Sequence, residues 1–149
     1  MFKEHIGKQS NKIKNVVERG MVKRFAEAIG DMHPIFVDEA VGRQSRYGQN
    51  IAPPTFPRVF DYGEIEGLDL LSDGFIHGEQ IYHYTRPLLV GETVYCYTKI
   101  ENYYDKKSRS GLLGFLILKR FGEDGEGETI FTEQQSVIIT EAVRKELVK

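Results

Sequence analysis

Strand-like segments in the second half of the chain limit the fold more than any other feature. Two of them, EQIYHYTRP and ETVYCYTKIENYY, alternate between apolar and polar residues with a period of two, and two more follow, SGLLGFLILKRF and ETIFTEQQSVIIT. They are rich in β-branched and aromatic residues, which is typical of strands with one buried face. The sequence GEDGEG between the last two indicates a hairpin connection. We therefore predict at least four antiparallel strands in a meander.

Two short helices are expected before the strands. Apolar residues recur at helical spacing from Gly20 to Ile29, and Gly30 follows as a stop signal. Pro34 excludes a continuous helix through the next residues, so Asp38 is the predicted N-cap of a second short helix. The polar, glycine-containing residues 42–52 are expected to form a loop.

A third helix is expected in the stretch APPTFPRVFDYGEIEG, where the prolines force an extended approach and Thr55 can cap. An apolar stripe follows at Phe56, Val59, Phe60 and Gly63. This helix, ending near Gly67, is the predicted element that is long and apolar enough to fill the concave face of a twisted sheet. We therefore predict a hotdog fold of the α+β class, a curled antiparallel sheet around one central helix, in a single domain over residues 1–149.

The composition argues against several classes of function. The chain has 149 residues, a formal net charge of −2 and no basic block, which argues against nucleic-acid binding. Its apolar runs are too short to cross a bilayer, and its first residues do not resemble a secretory signal. Cys96 is a single cysteine, which fits a reducing compartment. We therefore expect a cytoplasmic protein that does not interact with membranes.

No motif predicts a metal or a cofactor. His33, His77 and His83 lack the spacing of metal ligands, and the sequence contains neither a serine elbow nor a glycine-rich phosphate loop. Cys96 lies between Tyr95 and Tyr97 in a predicted strand, where a small buried thiol is the ordinary explanation.

Three pieces of the sequence together resemble the MaoC-like hotdog dehydratases, in particular the small N-terminal-type domains related to fatty-acid synthase dehydratases. These pieces are AIGDMHPIFVDEA, IAPPTF and IHGEQIYHYTRPLLVGETV. R-specific enoyl-CoA hydratases of this class carry a motif of the form D-x-N-P-L-H, with the Asp and His as catalytic pair. Hydration of an enoyl thioester needs a proton acceptor and a proton donor on one water molecule. The resemblance thus implies a thioester substrate carried by CoA or by an acyl carrier protein.

The motif is incomplete in this chain. Its Asp falls on Asp31 and its Pro on Pro34, but His33 occupies the Asn position and Phe36 the His position. Phenylalanine cannot move a proton, and His33 would have to act from a different direction. The resemblance implies Asp31 and His33 as candidate catalytic residues and Phe36 as a residue of the acyl channel or core. Hydrogen bonding within the loop is the alternative for Asp31 and His33.

The resemblance also implies substrate contacts elsewhere. Backbone N–H groups near Pro54, Thr55 and Phe56, at the start of the expected central helix, can polarise a thioester carbonyl. His77 lies at the entry to the first long strand and is a candidate for a ligand contact. Arg86 can pair with a carboxylate or with a phosphate of the carrier group, although a structural salt bridge is the favoured interpretation.

Three functions remain open at this point. The first is the substrate-holding subunit of a hydroxyacyl-thioester dehydratase or enoyl-thioester hydratase, paired with a catalytic MaoC-like partner. The second is a self-sufficient homodimeric hydratase that uses Asp31 and His33, and the third is an acyl-CoA binding module without chemistry. A thioesterase using Asp61 or Glu64 is a lesser variant. In each case we expect a homodimer or a heterodimer with a second hotdog subunit, because an isolated sheet would expose a strand edge.

Overall fold

Five antiparallel strands form one curled sheet in a computed structural model that describes residues 2–69 and 73–147. The strands are β1 (Ile13–Val16), β2 (Ile76–Tyr84), β3 (Thr93–Ser108), β4 (Gly111–Glu123) and β5 (Thr129–Ile139). Their order across the sheet is β1-β3-β4-β5-β2. The four predicted strands are confirmed as β2 to β5, and β1 is an addition that the sequence pattern did not reveal.

The predicted meander is confirmed for β3, β4 and β5 but is wrong for β2. Instead of pairing with its successor β3, β2 lies beside β5 at the far edge of the sheet. The chain from Thr85 to Glu92 passes from the edge strand β2 to β3, which lies next to the other edge strand, β1. The hairpin between β4 and β5 is as predicted, and Asp124 stabilises it by accepting the N–H groups of Glu126 and Glu128.

The helices lie mainly before the long strands: α1 (Arg19–Ile29), α2 (Pro34–Val37), α3 (Glu39–Gln44) and, after β5, α4 (Glu141–Leu147). The helix α1 ends at Gly30, whose φ of 72° is left-handed, as the stop signal predicted. Asp38 caps α3 by accepting the N–H groups of Ala40 and Val41, so the cap prediction is also confirmed.

The prediction of a central helix ending near Gly67 is wrong. The segment contains one 3₁₀ turn, Phe56–Val59, and the chain is extended at Phe60, with φ −72° and ψ 150°. Pro57 lacks a backbone N–H, and Gly63 and Gly67 take φ values of 70° and 79°, so a continuous helix cannot form. Thr55 precedes the turn but makes no side-chain cap hydrogen bond. Residues 60–69, hereafter the 60s loop, are irregular.

The inner face of the sheet is therefore covered by α1, the 3₁₀ turn and the 60s loop. A first apolar cluster joins α1 and the turn to the sheet, including Val22, Ala26, Phe56, Phe60, Val94, Cys96 and Phe131. A second cluster lies further along the sheet and includes Phe2, Ile65, Ile100, Leu116, Val137 and Ile139. The two clusters leave a strip of the inner face between them, and this strip is polar.

Candidate functional site

The loop between α1 and α2 holds the two candidate catalytic residues, both of them exposed. Asp31 Oδ1 accepts the backbone N–H of His33 at 3.3 Å. His33 Nδ1 in turn accepts the backbone N–H of Ile35 at 3.1 Å and thereby caps α2. The two side chains are thus each bonded to backbone, and no hydrogen bond between the carboxylate and the imidazole is present among the described residues.

Phe36 occupies the position of the motif's histidine and is buried in the first apolar cluster, with 7% of its surface exposed. Its ring centroid lies 6.1 Å from that of His33. Pro34 is the first residue of α2, a position where its missing N–H is tolerated, and Phe36 packs from the same short helix against the first apolar cluster. The Asp and the Pro of the motif are therefore present here, while its proton-transfer pair is incomplete.

Two of the predicted substrate-contacting residues, Pro54 and Arg86, line one cavity of ≈ 460 Å³, hereafter the proline cavity. The Pro54 carbonyl accepts the hydroxyl of Tyr84 at 2.6 Å. The guanidinium of Arg86 binds both carboxylate oxygens of Glu92, each at 2.8 Å. This hydrogen bonding raises the pKa of Arg86. Arg86 is therefore engaged in a structural ion pair at the wall of the cavity.

The other predicted contacts are dispersed. Phe56 is fully buried in the first apolar cluster, and Thr55 is exposed beside it. His77 is exposed on the edge strand β2, next to a register shift between His77 and Glu79. Asp31 and His33 line neither of the two cavities described here, so the structure does not assemble the predicted residues into one site.

A second group of polar residues, which the sequence analysis did not single out, crosses the inner face of the sheet. Consecutive cross-strand pairs join Thr98 to Arg120, Arg120 to Glu133 and Glu133 to Tyr82, on β3, β4, β5 and β2. We call these four residues the polar row. A signal was present in the sequence: residues 132–136, TEQQS, are all polar, so both faces of β5 must carry polar side chains there.

Glu133 lies at the centre of the polar row, and its side chain is 0% exposed. Gln80 Nε2 donates to its Oε1 at 2.8 Å, and the Tyr62 hydroxyl lies 3.5 Å from Oε2. Two guanidinium groups balance the charge, Arg120 at 3.5 Å and Arg58 at 3.8 Å. Because Arg58 and Tyr62 flank the start of the 60s loop, Glu133 ties this segment to the sheet.

The tyrosines around this carboxylate are held in the protonated form. Burial, followed by the charge of Glu133, raises the pKa of Tyr82 to about 12. The same two causes raise the pKa of Tyr62 well above its ordinary value. The hydroxyl of Tyr62 donates a hydrogen bond to the Pro57 carbonyl at 2.7 Å. Both phenols therefore act here as hydrogen-bond donors or neutral acceptors and not as bases.

A cavity of ≈ 490 Å³, hereafter the loop cavity, lies between the 60s loop and the sheet. Buried side chains of the sheet contribute to it: Thr98, Leu118, Gln135 and Val137. Exposed carboxylates of the loop also line it: Asp61, Glu64 and Asp69. The loop cavity occupies part of the space that the predicted central helix would have filled.

Comparison with known proteins first identifies the fold. A dehydratase complex from Mycobacterium tuberculosis, HadBC (3R-hydroxyacyl-ACP dehydratase), has a chain that superposes with a TM-score of 0.73 at 18% identity, covering 93% of this chain and 100% of that one. A MaoC-like dehydratase from Rhodospirillum rubrum gives a TM-score of 0.68 at 19% identity, covering 90% and 91%. The α+β fold is therefore the MaoC-like hotdog fold, as predicted, with the central helix reduced to one turn.

The family follows from the sequence. Residues 4–133 match the family described as "FAS1-like, dehydratase domain region", and the chain belongs to this family. A relative from Thermobifida fusca, named UPF0336 protein, is 36% identical over 104 residues. The match covers 64% of this chain and 64% of that relative's length. The predicted resemblance to fatty-acid-synthase-like dehydratase domains is thus confirmed.

The described residues, 2–69 and 73–147, contain no helix that is long and apolar enough to span a membrane. They also contain no group of three or more His, Cys, Asp or Glu side chains placed to hold a metal ion.

Proposed function

We propose that this chain is the acyl-holding subunit of a hydroxyacyl-thioester dehydratase or enoyl-thioester hydratase, whose Asp–His pair comes from a second hotdog subunit. One observation carries the proposal: the motif's histidine position is a buried phenylalanine, Phe36, while the neighbouring His33 is occupied as a helix cap. With Nδ1 accepting a backbone N–H, a neutral imidazole keeps its own hydrogen on Nε2. His33 would have to give up its cap before either nitrogen could act as a base.

The loop cavity supports the holding role. Its volume, ≈ 490 Å³, falls within the range of about 300–1,000 Å³ that is usual for small-molecule sites. Apolar side chains form much of the wall and suit an acyl chain: Phe60, Ile65, Leu68, Leu118 and Val137. The thioester is carried by CoA or by an acyl carrier protein, and its reacting carbon faces the partner's Asp–His pair.

The edge strand β2 is the proposed contact with the partner. It is nine residues long and pairs with β5 on one side, so its other edge can hydrogen-bond to a strand of a second subunit. A structural neighbour, HadBC, is named as a complex, which supports a hotdog partner for this chain. A heterodimer through β2 is the proposed assembly, with a homodimer as the competing one. His77, exposed on this strand, would lie at the interface.

The direct test is hydration of crotonyl-CoA, followed by loss of the ultraviolet absorbance of the enoyl thioester. The purified chain alone is expected to give no enzymatic rate. Adding a hotdog subunit with an intact D-x-N-P-L-H motif is expected to give hydration, and the His33→Ala variant should support it as well as the parent chain does. His5→Ala is the matched control, because this histidine lies outside β2 and lines neither cavity.

The second candidate, a self-sufficient homodimer, predicts the opposite outcome. It is motivated by the carboxylate of Asp31 and the imidazole of His33, which lie two residues apart in one exposed loop. Hydration by the chain alone, abolished in both Asp31→Asn and His33→Ala but kept in His5→Ala, would establish it and refute the holding role.

A further inference from the structure

Apolar residues lie beside the polar row on the same face of the sheet. On one side the next cross-strand set is Cys96, Gly122, Phe131 and Tyr84. On the other side the set is Ile100, Leu118, Gln135 and Gln80, of which the first two are apolar. Polar groups in such a position lose their hydration on folding, and this costs free energy unless each finds a hydrogen-bond partner. The hydrogen bonds along the row therefore show whether each of its buried polar groups is satisfied by the described residues.

Two groups of the row lack a partner within the described residues. Glu133 is bonded as described above, but Thr98 Oγ1 and Arg120 Nε are buried and make no hydrogen bond. Thr98 is 4% exposed and pairs across the strands with Arg120, so both unmatched groups lie in the same part of the sheet. Both residues line the loop cavity, and so does Gln135, which is 6% exposed.

We propose that the loop cavity binds an acyl group that carries a neutral oxygen, a hydroxyl or a carbonyl, remote from the thioester. This inference rests on the proposed acyl-holding function and specifies its substrate class. Arg120 Nε–H would donate to the ligand oxygen, and the hydroxyl of Thr98 would donate to it or accept from it. The amide of Gln135 can supply a further donor or acceptor.

The charges around the cavity favour a neutral oxygen over a carboxylate. Both arginines near the row, Arg58 and Arg120, already face the carboxylate of Glu133. The exposed wall adds two more carboxylates, Asp61 and Glu64. An anionic ligand group would be repelled by this surplus of negative charge, whereas a hydroxyl or a carbonyl would not.

The test compares two probes that differ by one oxygen, decanoyl-CoA and ω-hydroxydecanoyl-CoA, in calorimetric titrations of the full chain. The hydroxylated probe is expected to bind about tenfold more tightly, because its hydroxyl provides a hydrogen-bond partner for Thr98 and Arg120, which decanoyl-CoA would leave unmatched. Thr98→Val should remove this preference and Thr98→Ser should retain it. Thr132→Val is the matched control, since Thr132 lies on β5 and outside the loop cavity.

A thermal melt without ligand gives an independent measurement. Thr98→Val replaces an unmatched buried hydroxyl with a methyl group of similar size, so its Tm should equal or exceed that of the parent chain. A lower Tm would show that Oγ1 has a partner and would overturn the inference.

The binding outcomes separate this inference from the function on which it rests. Equal binding of the two probes, or tighter binding of decanoyl-CoA, would overturn the oxygen-bearing substrate and leave the acyl-holding role standing. If neither probe binds, the acyl-holding role itself is refuted, and the inference with it.

Discussion

Replacing Glu133 with glutamine tests how the 60s loop is held to the sheet. The substitution keeps the size and most hydrogen bonds of the side chain but removes its charge. Arg58 is 47% exposed and can turn toward water, whereas Arg120 is 21% exposed and its guanidinium lies 4.6 Å from the ring centroid of Tyr62. Removing one partner of a buried ion pair costs about 3–5 kcal/mol. Because Arg58 can be rehydrated, we expect a loss at the lower end, about 3 kcal/mol.

A second ion pair in the same chain provides the matched control. Arg144 Nη2 and Asp105 Oδ1 are 2.6 Å apart, closer than Arg120 and Glu133, but the Asp105 side chain is 28% exposed. Water screens such a pair, so Asp105→Asn should cost less than about 1 kcal/mol at neutral pH. If burial decides how much an ion pair contributes to the free energy of unfolding, breaking the pair of Arg120 and Glu133 costs more than breaking that of Arg144 and Asp105, although its N–O distance is longer.

The assay is urea denaturation followed by circular dichroism, with the parent chain, Glu133→Gln and Asp105→Asn measured side by side. The expected order of the free energies of unfolding is parent, then Asp105→Asn, then Glu133→Gln. A double variant, Arg120→Met with Glu133→Leu, should recover much of the loss, since it leaves no unpaired charge at these two positions. A Glu133→Gln variant as stable as Asp105→Asn would refute the reasoning.

Three further predictions concern the rest of the chain. Burial raises the pKa of Cys96 to about 12, so iodoacetamide at mildly alkaline pH should label it in guanidinium but not in the native protein; native labelling at the rate of a free thiol would contradict this. Hydrogen bonding from Arg144 lowers the pKa of Asp105 below 3.8. The stabilisation that Asp105→Asn removes should therefore be present at neutral pH and vanish as the pH falls through this lowered pKa. Thermal melts at several pH values test this, and a Tm difference between the parent chain and Asp105→Asn that widens as the pH falls would contradict it. Gly122→Ala places a methyl group against an aromatic ring of β5 and should cost about 1–3 kcal/mol in urea denaturation, whereas Gly125→Ala in the open hairpin should be nearly neutral; equal losses would contradict the packing argument.

Local sequence patterns were sufficient to predict most of the helices and strands. Alternation identified β2 and β3, two apolar segments joined by GEDGEG identified β4 and β5, and helical spacing followed by Gly30 identified α1. Both patterns depend on neighbours in the sequence, which is why they can be interpreted without the fold. The predicted central helix does not form, because Pro57 and the two glycines that follow it prevent a helix that the apolar spacing alone would favour.

The incomplete motif was also visible in the sequence, because the identities of Asp31, His33 and Phe36 show that a proton-transfer residue is missing. How these side chains are used was decided by the tertiary structure. His33 bonds to the backbone of α2, and Phe36 enters the core, since the proline between them fixes the start of the helix.

The polar row could not be derived from any local pattern. Its members are separated by up to 51 positions, from Tyr82 to Glu133, and they become neighbours through the registers of β2, β4 and β5. Alternation assigns a residue to one of two faces, but the register and the strand order determine which residues meet across that face. The sequence by itself determined the four long strands, the first helix and the loss of the motif's histidine. The tertiary structure alone brought Arg58, Arg120 and the hydroxyl of Thr98 to the wall of one cavity and placed the buried carboxylate of Glu133 beside the two arginines, because hydrogen bonds between distant strands set the positions of the sheet residues.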